Sequence, residues 1–395
     1  MKRCSELLEA APNGWVMEYY VGKDYSLGGI TLLCKFDGQR VTMASQIAGA
    51  DETVSSLYSV KSEQATMLSF DTYNYLVHYF GQPQGSMADD PNGTLGGDYE
   101  FVISDATADR IELKGKKYGN RIVMKAFSAD QTWKQYLTRI KKVEDDAFFY
   151  EYDLRMDGLY TGQMLRSNYT FIVTYYDEVG KVHQKTVPFM FTTDGMRFHE
   201  PVTIDGQTMQ NFVWKNEEIS FVCTDEGATE VKMKGIYIDG YQSYDYYPGT
   251  YLMDFYRLNG ATNQLEVASQ EIQLVKDEDG KSYWLKGLEY DILVTYDKPR
   301  GGLSILPQFL KKVQGGYVYL AMWDLMNDYV LRSSAIGLIS YPTTDGIYLV
   351  DNGVWMGEIS GFIFGVYDSQ DEEASFMGYT DAVAAIRLIK KTIEE

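Results

Sequence analysis

Residues 28–44, Gly-Gly-Ile-Thr-Leu-Leu-Cys-Lys-Phe-Asp-Gly-Gln-Arg-Val-Thr-Met-Ala, read as a β-hairpin. An apolar, β-branched run, Ile30–Phe36, meets Asp37-Gly38 and returns as Arg40–Ala44. Asp-Gly supplies the positive φ angles that a tight hairpin turn needs, and the flanking runs suit a pleated, half-buried surface. The same grammar extends outward in both directions. Trp15–Val21 precedes the hairpin, and Leu57–Lys61, Thr66–Phe70, Tyr99–Ile103, Arg110–Leu113 and Arg121–Phe127 follow it. Strands this short and closely spaced predict a mainly β fold: antiparallel β-barrel or sandwich modules with a few short helices.

Two segments stand apart. Residues 4–11 read as a short helix stopped by Pro12. From Asp130 onward, Trp133, Tyr136, Leu137 and Ile140 recur at helical spacing, which predicts an amphipathic helix over 130–143 with Asp130 as N-cap. Strands resume from Tyr169. A second module is expected from Ile236, dividing the chain into 1–235 and 236–395. The tail from Val383 to Ile393 reads either as a helix, by its alanines, or as a closing strand.

Composition narrows the function classes. The chain has 395 residues and a net charge of −20. So acidic a chain is a poor partner for nucleic acid, whose phosphates require clustered positive charge. The absence of an apolar run of about 18 residues excludes a membrane-spanning helix. The three cysteines, Cys4, Cys34 and Cys223, are too few for a disulfide framework. Tyrosine is in excess, with 33 residues, and it suits both strand packing and contact surfaces.

Few residues suggest chemistry. The three histidines, His78, His183 and His199, are scattered, and no His-Glu-x-x-His, Cys-x-x-Cys or Gly-x-Ser-x-Gly is present. Asp71, His78 and a serine would make a triad only by spatial coincidence. A glycosidase needs two facing carboxylates, and the 56 acids single out no pair. The loop 87–100 offers hard oxygens in Asp89, Asp90, Asn92 and Asp98, with glycines that permit tight turns, so calcium is the one cofactor suggested. Its spacing does not follow the EF-hand pattern. The stretch 236–256 carries seven tyrosines, and Gly240, Pro248 and Gly249 predict a loop that presents some of them. Tyr241, Tyr244, Tyr246, Tyr247 and Tyr251 are therefore the candidate ligand contacts, weighed against core packing. Trp15, Tyr19, Tyr73, Asn74 and His78 are assigned core and turn roles.

Several ordered motifs carry a resemblance. They are Ala11-Pro12-Asn13-Gly14-Trp15 with Glu18-Tyr19-Tyr20, then Leu68-Ser69-Phe70-Asp71-Thr72-Tyr73-Asn74, then Gly96-Gly97-Asp98-Tyr99-Glu100-Phe101, and finally Thr193 to Pro201. Together they resemble a family of Bacteroidetes lipoproteins of unknown function over roughly residues 1–235, and the C-terminal part resembles small calycin-like barrels. The resemblance implies secretion, an N-terminal lipid anchor ahead of this sequence, and an outer-membrane or cell-surface location. Contact with a membrane is then expected only through that anchor. The leading expectation is a non-enzymatic surface protein that binds a glycan or a protein. The alternatives are a glycan-active hydrolase using a carboxylate pair and a structural or adhesive envelope component.

Overall fold

The computed structural model describes residues 2–62, 65–82, 94–177, 179–371 and 373–391. The fold is mainly β, and the chain divides into two compact units, Met1–Tyr237 and Ile238–Glu395. The first unit holds two closed barrels where the sequence reading described one β-rich domain.

The first barrel consists of β1 (Trp15–Val21), β2 (Gly28–Asp37), β3 (Arg40–Ser45), β4 (Val54–Ser62), β5 (Thr66–Phe70), β6 (Glu100–Ala106), β7 (Arg110–Gly115) and β8 (Arg121–Ala126). Each strand pairs antiparallel with the next, and β8 closes on β1 through Trp15↔Ala126 and Met17↔Met124. Alternation decides what faces inward: Trp15, Met17 and Tyr19 on β1 meet Leu32, Cys34 and Phe36 on β2 in one buried cluster. Helix α1 (Lys2–Ala10) packs Leu8 into this core, and the Leu8 carbonyl accepts a 2.8 Å bond from the Trp15 indole.

The second barrel repeats the plan with β9 (Glu151–Met156), β10 (Leu159–Ser167), β11 (Thr170–Tyr176), β12 (Val182–Phe191), β13 (Gly195–Ile204), β14 (Gln207–Lys215), β15 (Ser220–Cys223) and β16 (Lys232–Ile236). It closes where Met233 on β16 faces Leu154 on β9. A short helix, α2 (Tyr75–His78), follows β5, and the longer α3 (Trp133–Asp146) links the barrels. The α3 N-cap is Thr132, not Asp130: its hydroxyl accepts from the Gln135 amide while the Gln135 side chain returns to the Thr132 N–H, a reciprocal capping box. Leu137 of α3 packs with Leu33, Ala44 and Phe127, whereas Ile140 and Val143 enter the second core. The barrels also meet directly. Gly28, at φ +72°, lies so close to Tyr169 that a Cβ there would fall 1.9 Å from the Tyr169 carbonyl oxygen.

The C-terminal unit contains β17 (Gly249–Asn259), β18 (Gln264–Lys276), β19 (Ser282–Lys286), β20 (Ile292–Asp297), β21 (Gly302–Ile305), β22 (Gln308–Val313), β23 (Gly316–Asp324), β24 (Tyr329–Leu331), β25 (Leu338–Thr343), β26 (Gly346–Asp351), β27 (Gly361–Tyr367) and β28 (Phe376–Lys390). The ambiguous tail is therefore a strand as far as Lys390, and it organises the unit. One edge of β28 pairs with β17, which closes a third eight-stranded ring in the order β17-β18-β19-β20-β21-β25-β26-β28. The first half of its other edge pairs with β27, starting a branch, β27-β23-β22, that leaves the ring. The Gln308 side chain joins the branch back to the ring: its amide accepts from Leu293 N at 2.8 Å and donates to Leu293 O at 2.9 Å, as a neighbouring strand would. The three cysteines are unpaired.

Candidate functional site

The tyrosine-dense stretch forms a barrel-end plug. Tyr247 and Tyr251 are fully buried, and Tyr244 packs against the same core. The hydroxyls bind backbone in a closed pattern. Tyr251 donates to the Tyr247 carbonyl at 2.6 Å, Tyr247 to Gly301 at 2.9 Å, Tyr244 to Ser282 at 2.8 Å, Tyr283 to Tyr244 at 2.7 Å and Tyr296 to Gln242 at 2.8 Å. The 242–247 segment thus crosses a hydrophobic barrel end with carbonyls satisfied by phenols rather than by strand neighbours. Tyr247 and Tyr251 offer no ring face to a ligand. Tyr246 is exposed beneath the Lys390 ammonium, 5.0 Å from its ring centre, and Tyr241 is half-buried.

Three of the calcium candidates, Asp89, Asp90 and Asn92, lie outside the described residues. The fourth, Asp98, is occupied. Its two oxygens accept from the backbone N–H groups of Lys117 at 2.7 Å and Tyr118 at 3.1 Å, bracing the turn from β7 to β8. Burial raises its pKa despite those bonds. Asp71 and His78 do not meet as triad members. Asp71 takes Ser69 and Lys61, while the His78 ring binds backbone of Asn74 and stacks on Tyr99 at 4.7 Å.

The open aromatic surface of the C-terminal unit lies elsewhere, on the branch. A cleft of about 700 Å³ is lined by Phe309, Tyr319, Arg332, Tyr367, Gln370 and Phe376, with Ser333 and Ser334 at its side. Strand alternation builds it: Val318, Leu320 and Met322 of β23 face the core, which turns Tyr319 outward. Register then sets Phe309 of β22 opposite Tyr319, and Tyr367 of β27 opposite Phe376 of β28. Four rings form a continuous edge-to-face chain, with centroids 5.4 Å apart for Phe309–Tyr319, 5.7 Å for Tyr319–Tyr367 and 5.5 Å for Tyr367–Phe376. Gly365 leaves the room they need, since a Cβ there would meet the Tyr367 ring at 2.9 Å and the Phe376 ring at 3.0 Å. Arg332, just past β24, spreads its guanidinium over Tyr319 and Tyr367, 4.8 Å and 4.2 Å from the ring centres, and donates to the Asp371 carbonyl. Phe309 and Phe376 keep 45% and 43% of their surface exposed, which leaves a greasy rim on both sides of a fixed cation. None of these residues stands out in the sequence, because each comes from a different element and no spacing links them.

An antiparallel multi-barrel protein with an open aromatic cleft is the class that these observations define. Residues 1–216 match the domain of unknown function DUF4302, which covers more than half of the chain, and the chain belongs to that family. Residues 224–363 match a second domain of unknown function, DUF4987. The first match stops short of β15, and β16, which closes the second barrel, falls within the second match. No curated protein matches the chain. Among solved structures, similarity is recorded to the DNA polymerase III beta chain of Streptococcus pneumoniae (8% identity, covering 98% of this chain and 96% of that one, TM-score 0.12). It is also recorded to a transferrin binding protein B mutant of Haemophilus parasuis (12%, 96% and 75%, 0.12) and to the botulinum neurotoxin type G receptor binding domain (8%, 82% and 73%, 0.11). Scores this low define no shared fold.

Proposed function

We propose that this protein is a non-catalytic carbohydrate-binding lipoprotein of the bacterial cell surface, of the Bacteroidetes type, and that the Phe309–Tyr319–Tyr367–Phe376 cleft is its glycan site. The observation that carries the reading is the ring chain itself. A pyranose has one face of C–H bonds and a rim of hydroxyls. Exposed aromatic rings receive the face, while Arg332, Gln370 and the two serines stand ready for the hydroxyls. Among the described residues lining the cleft none is an aspartate or glutamate, so a glycosidase's acid pair is not supplied there. What supports the surface location is the resemblance of the motifs within roughly residues 1–235 to Bacteroidetes lipoproteins, together with the net charge of −20, which keeps an exposed protein dispersed.

A glycan array followed by calorimetry on the best hits tests the site. Phe376→Ala is expected to weaken binding by about tenfold, which is about 1.4 kcal/mol, with little change in the unfolding midpoint. An array without hits above background ends the carbohydrate reading. Hits that Phe376→Ala leaves at full affinity move the site elsewhere. Protease shaving of intact source cells tests the location, and a protein that survives shaving but is lost on lysis does not face the medium.

A further inference from the structure

A second cleft, of about 470 Å³, lies between the two barrels of the N-terminal unit. Its lining joins β1 and the turn after it to β7, β8 and β13. Four cations face it, Arg110, Arg121, Lys125 and Arg197, against three carboxylates, Glu18, Glu112 and Glu200. That excess of one positive charge arises in a chain of net charge −20. Glu18 holds Lys125 at 2.7 Å and Arg197 at 2.5 Å, and Glu112 holds Arg110 at 3.0 Å and Arg121 at 3.5 Å. A guanidinium carries five N–H donors in a fork suited to carboxylates, so these pairings leave donors over.

Two independent features mark the cleft as more than packing. The first is an orphaned group. Tyr20 is 4% exposed, and its hydroxyl makes no hydrogen bond of good geometry, the Arg197 guanidinium being close enough only for a weak one. A buried phenol left unpaired costs about 1–3 kcal/mol. The second is strained backbone. Asp24 and Tyr25 both adopt positive φ, 53° and 60°, in the turn that follows β1. A bulky aromatic in that region is an outlier, and such strain gathers at binding sites. The turn is fixed by Asn120, whose amide donates to Gly22 O at 2.9 Å. The effect is to hold the Tyr25 ring 4.2 Å from His199, which also meets Tyr20 at 4.2 Å, the two tyrosine rings lying 6.0 Å apart. Burial lowers the His199 pKa, with nearby Arg197 and Arg121 acting in the same direction, so the ring is a neutral wall at pH 7.

We propose that this cleft binds a small monocarboxylate of sugar-acid size. The carboxylate lies among Arg121, Arg197 and the Tyr20 hydroxyl, and the apolar face of the ligand lies against Tyr25. One net positive charge matches one carboxylate, the Tyr20 hydroxyl gains the partner it lacks, and the strained turn is explained as the device that supplies the aromatic wall. The site is separate from the cleft on β22–β28.

The test is calorimetry on the full chain with D-glucuronate, D-glucose and inorganic phosphate. Glucuronate is expected to bind saturably and about tenfold or more tighter than glucose, and more weakly at higher salt. Tyr20→Phe removes only the orphaned hydroxyl. It is expected to weaken glucuronate by about threefold to tenfold while the unfolding midpoint holds or rises. Arg121→Ala, at an exposed side chain, is expected to weaken binding similarly. Glucuronate no tighter than glucose overturns the proposal, as does phosphate bound equally well. So does wild-type affinity in both Tyr20→Phe and Arg121→Ala.

Discussion

The C-terminal unit uses tyrosine in two opposite ways. In the 241–251 plug, the phenols of Tyr244, Tyr247 and Tyr251, with Tyr283 and Tyr296 from β19 and β20, each donate to a backbone carbonyl. The rings of Tyr247, Tyr251 and Tyr283 are fully buried. On the branch, Tyr319 and Tyr367 are gathered around a guanidinium, and exposed phenylalanines extend their surface. The chemistry of the residue is the same in both places. What differs is the neighbour: a loop that must bury its carbonyls recruits hydroxyls, whereas on the branch Tyr367 is buried beneath Arg332 while half-buried Tyr319 and exposed Phe309 and Phe376 keep ring surface open. Tyrosine density along the chain therefore reports a local shortage of strand partners rather than a contact surface.

The comparison breaks most readily at Tyr283, a wholly buried ring stacked 4.7 Å from Tyr244. Tyr283→Ala is expected to cost about 3–5 kcal/mol in denaturant unfolding, by analogy with other buried aromatic truncations. A loss below about 1 kcal/mol would make the plug a surface feature after all. Alkaline titration gives a second, somewhat smaller effect. Burial holds the Tyr251 and Tyr283 protons well above the ordinary tyrosine range. The unfolded chain gives up those protons first. Their contribution is thus complete below about pH 10 and is lost as pH rises, at about 1.4 kcal/mol per pH unit for each residue. Tyrosinate absorbance from the plug should appear together with the loss of β circular dichroism, and Tyr283→Phe should move that transition to higher pH. Absorbance that rises fully while the β signal persists contradicts the burial.

Much of the strand content is legible from residues alone, and the reason is local. The Asp37-Gly38 signal marks a hairpin locally, although the turn itself is Gly38-Gln39, with Asp37 paired to Arg40 and Gly38 alone of the three loop-side residues at positive φ (60°), and the alternation in Trp15–Val21 needs only its own period to be read. The α3 helix is legible from its spacing as well, although the cap moves to Thr132 because the reciprocal bond with Gln135 stabilises that start. Closure is not legible. Whether β8 returns to β1 or β16 to β9 depends on pairing between strands far apart in sequence, and period-2 patterning is the same in an open sheet and a ring. The tail is a case in point. Its alanines favour a helix, but Ala382 and Ala384 are buried in one cluster with Trp323 and Ile363, and pairing with β27 and β17 outweighs local propensity. The aromatic cleft is hidden for the same reason as closure, since Phe309, Tyr319, Arg332, Tyr367 and Phe376 become neighbours only through register.

Tyr319 carries the binding half of the comparison. Tyr319→Ala is expected to weaken the glycan held by the branch cleft by about tenfold or more, close to 1.4 kcal/mol, and to change unfolding by less than about 1 kcal/mol. The reverse pattern, a large stability loss with binding intact, would place this tyrosine with the plug. The finest test is Tyr251→Phe, which keeps the ring and removes only the donor to the Tyr247 carbonyl. That carbonyl lies at a buried barrel end, so the loss is a hydrogen bond without a ready water to replace it, worth about 1 kcal/mol. Tyr319→Phe removes only a long, solvent-exposed bond to the Gln370 carbonyl at 3.5 Å, which water can replace, and is expected to be neutral in the same assay. If the two phenylalanine variants lose equal stability, the hydroxyls do not distinguish plug from cleft, and ring burial alone separates the two tyrosine clusters.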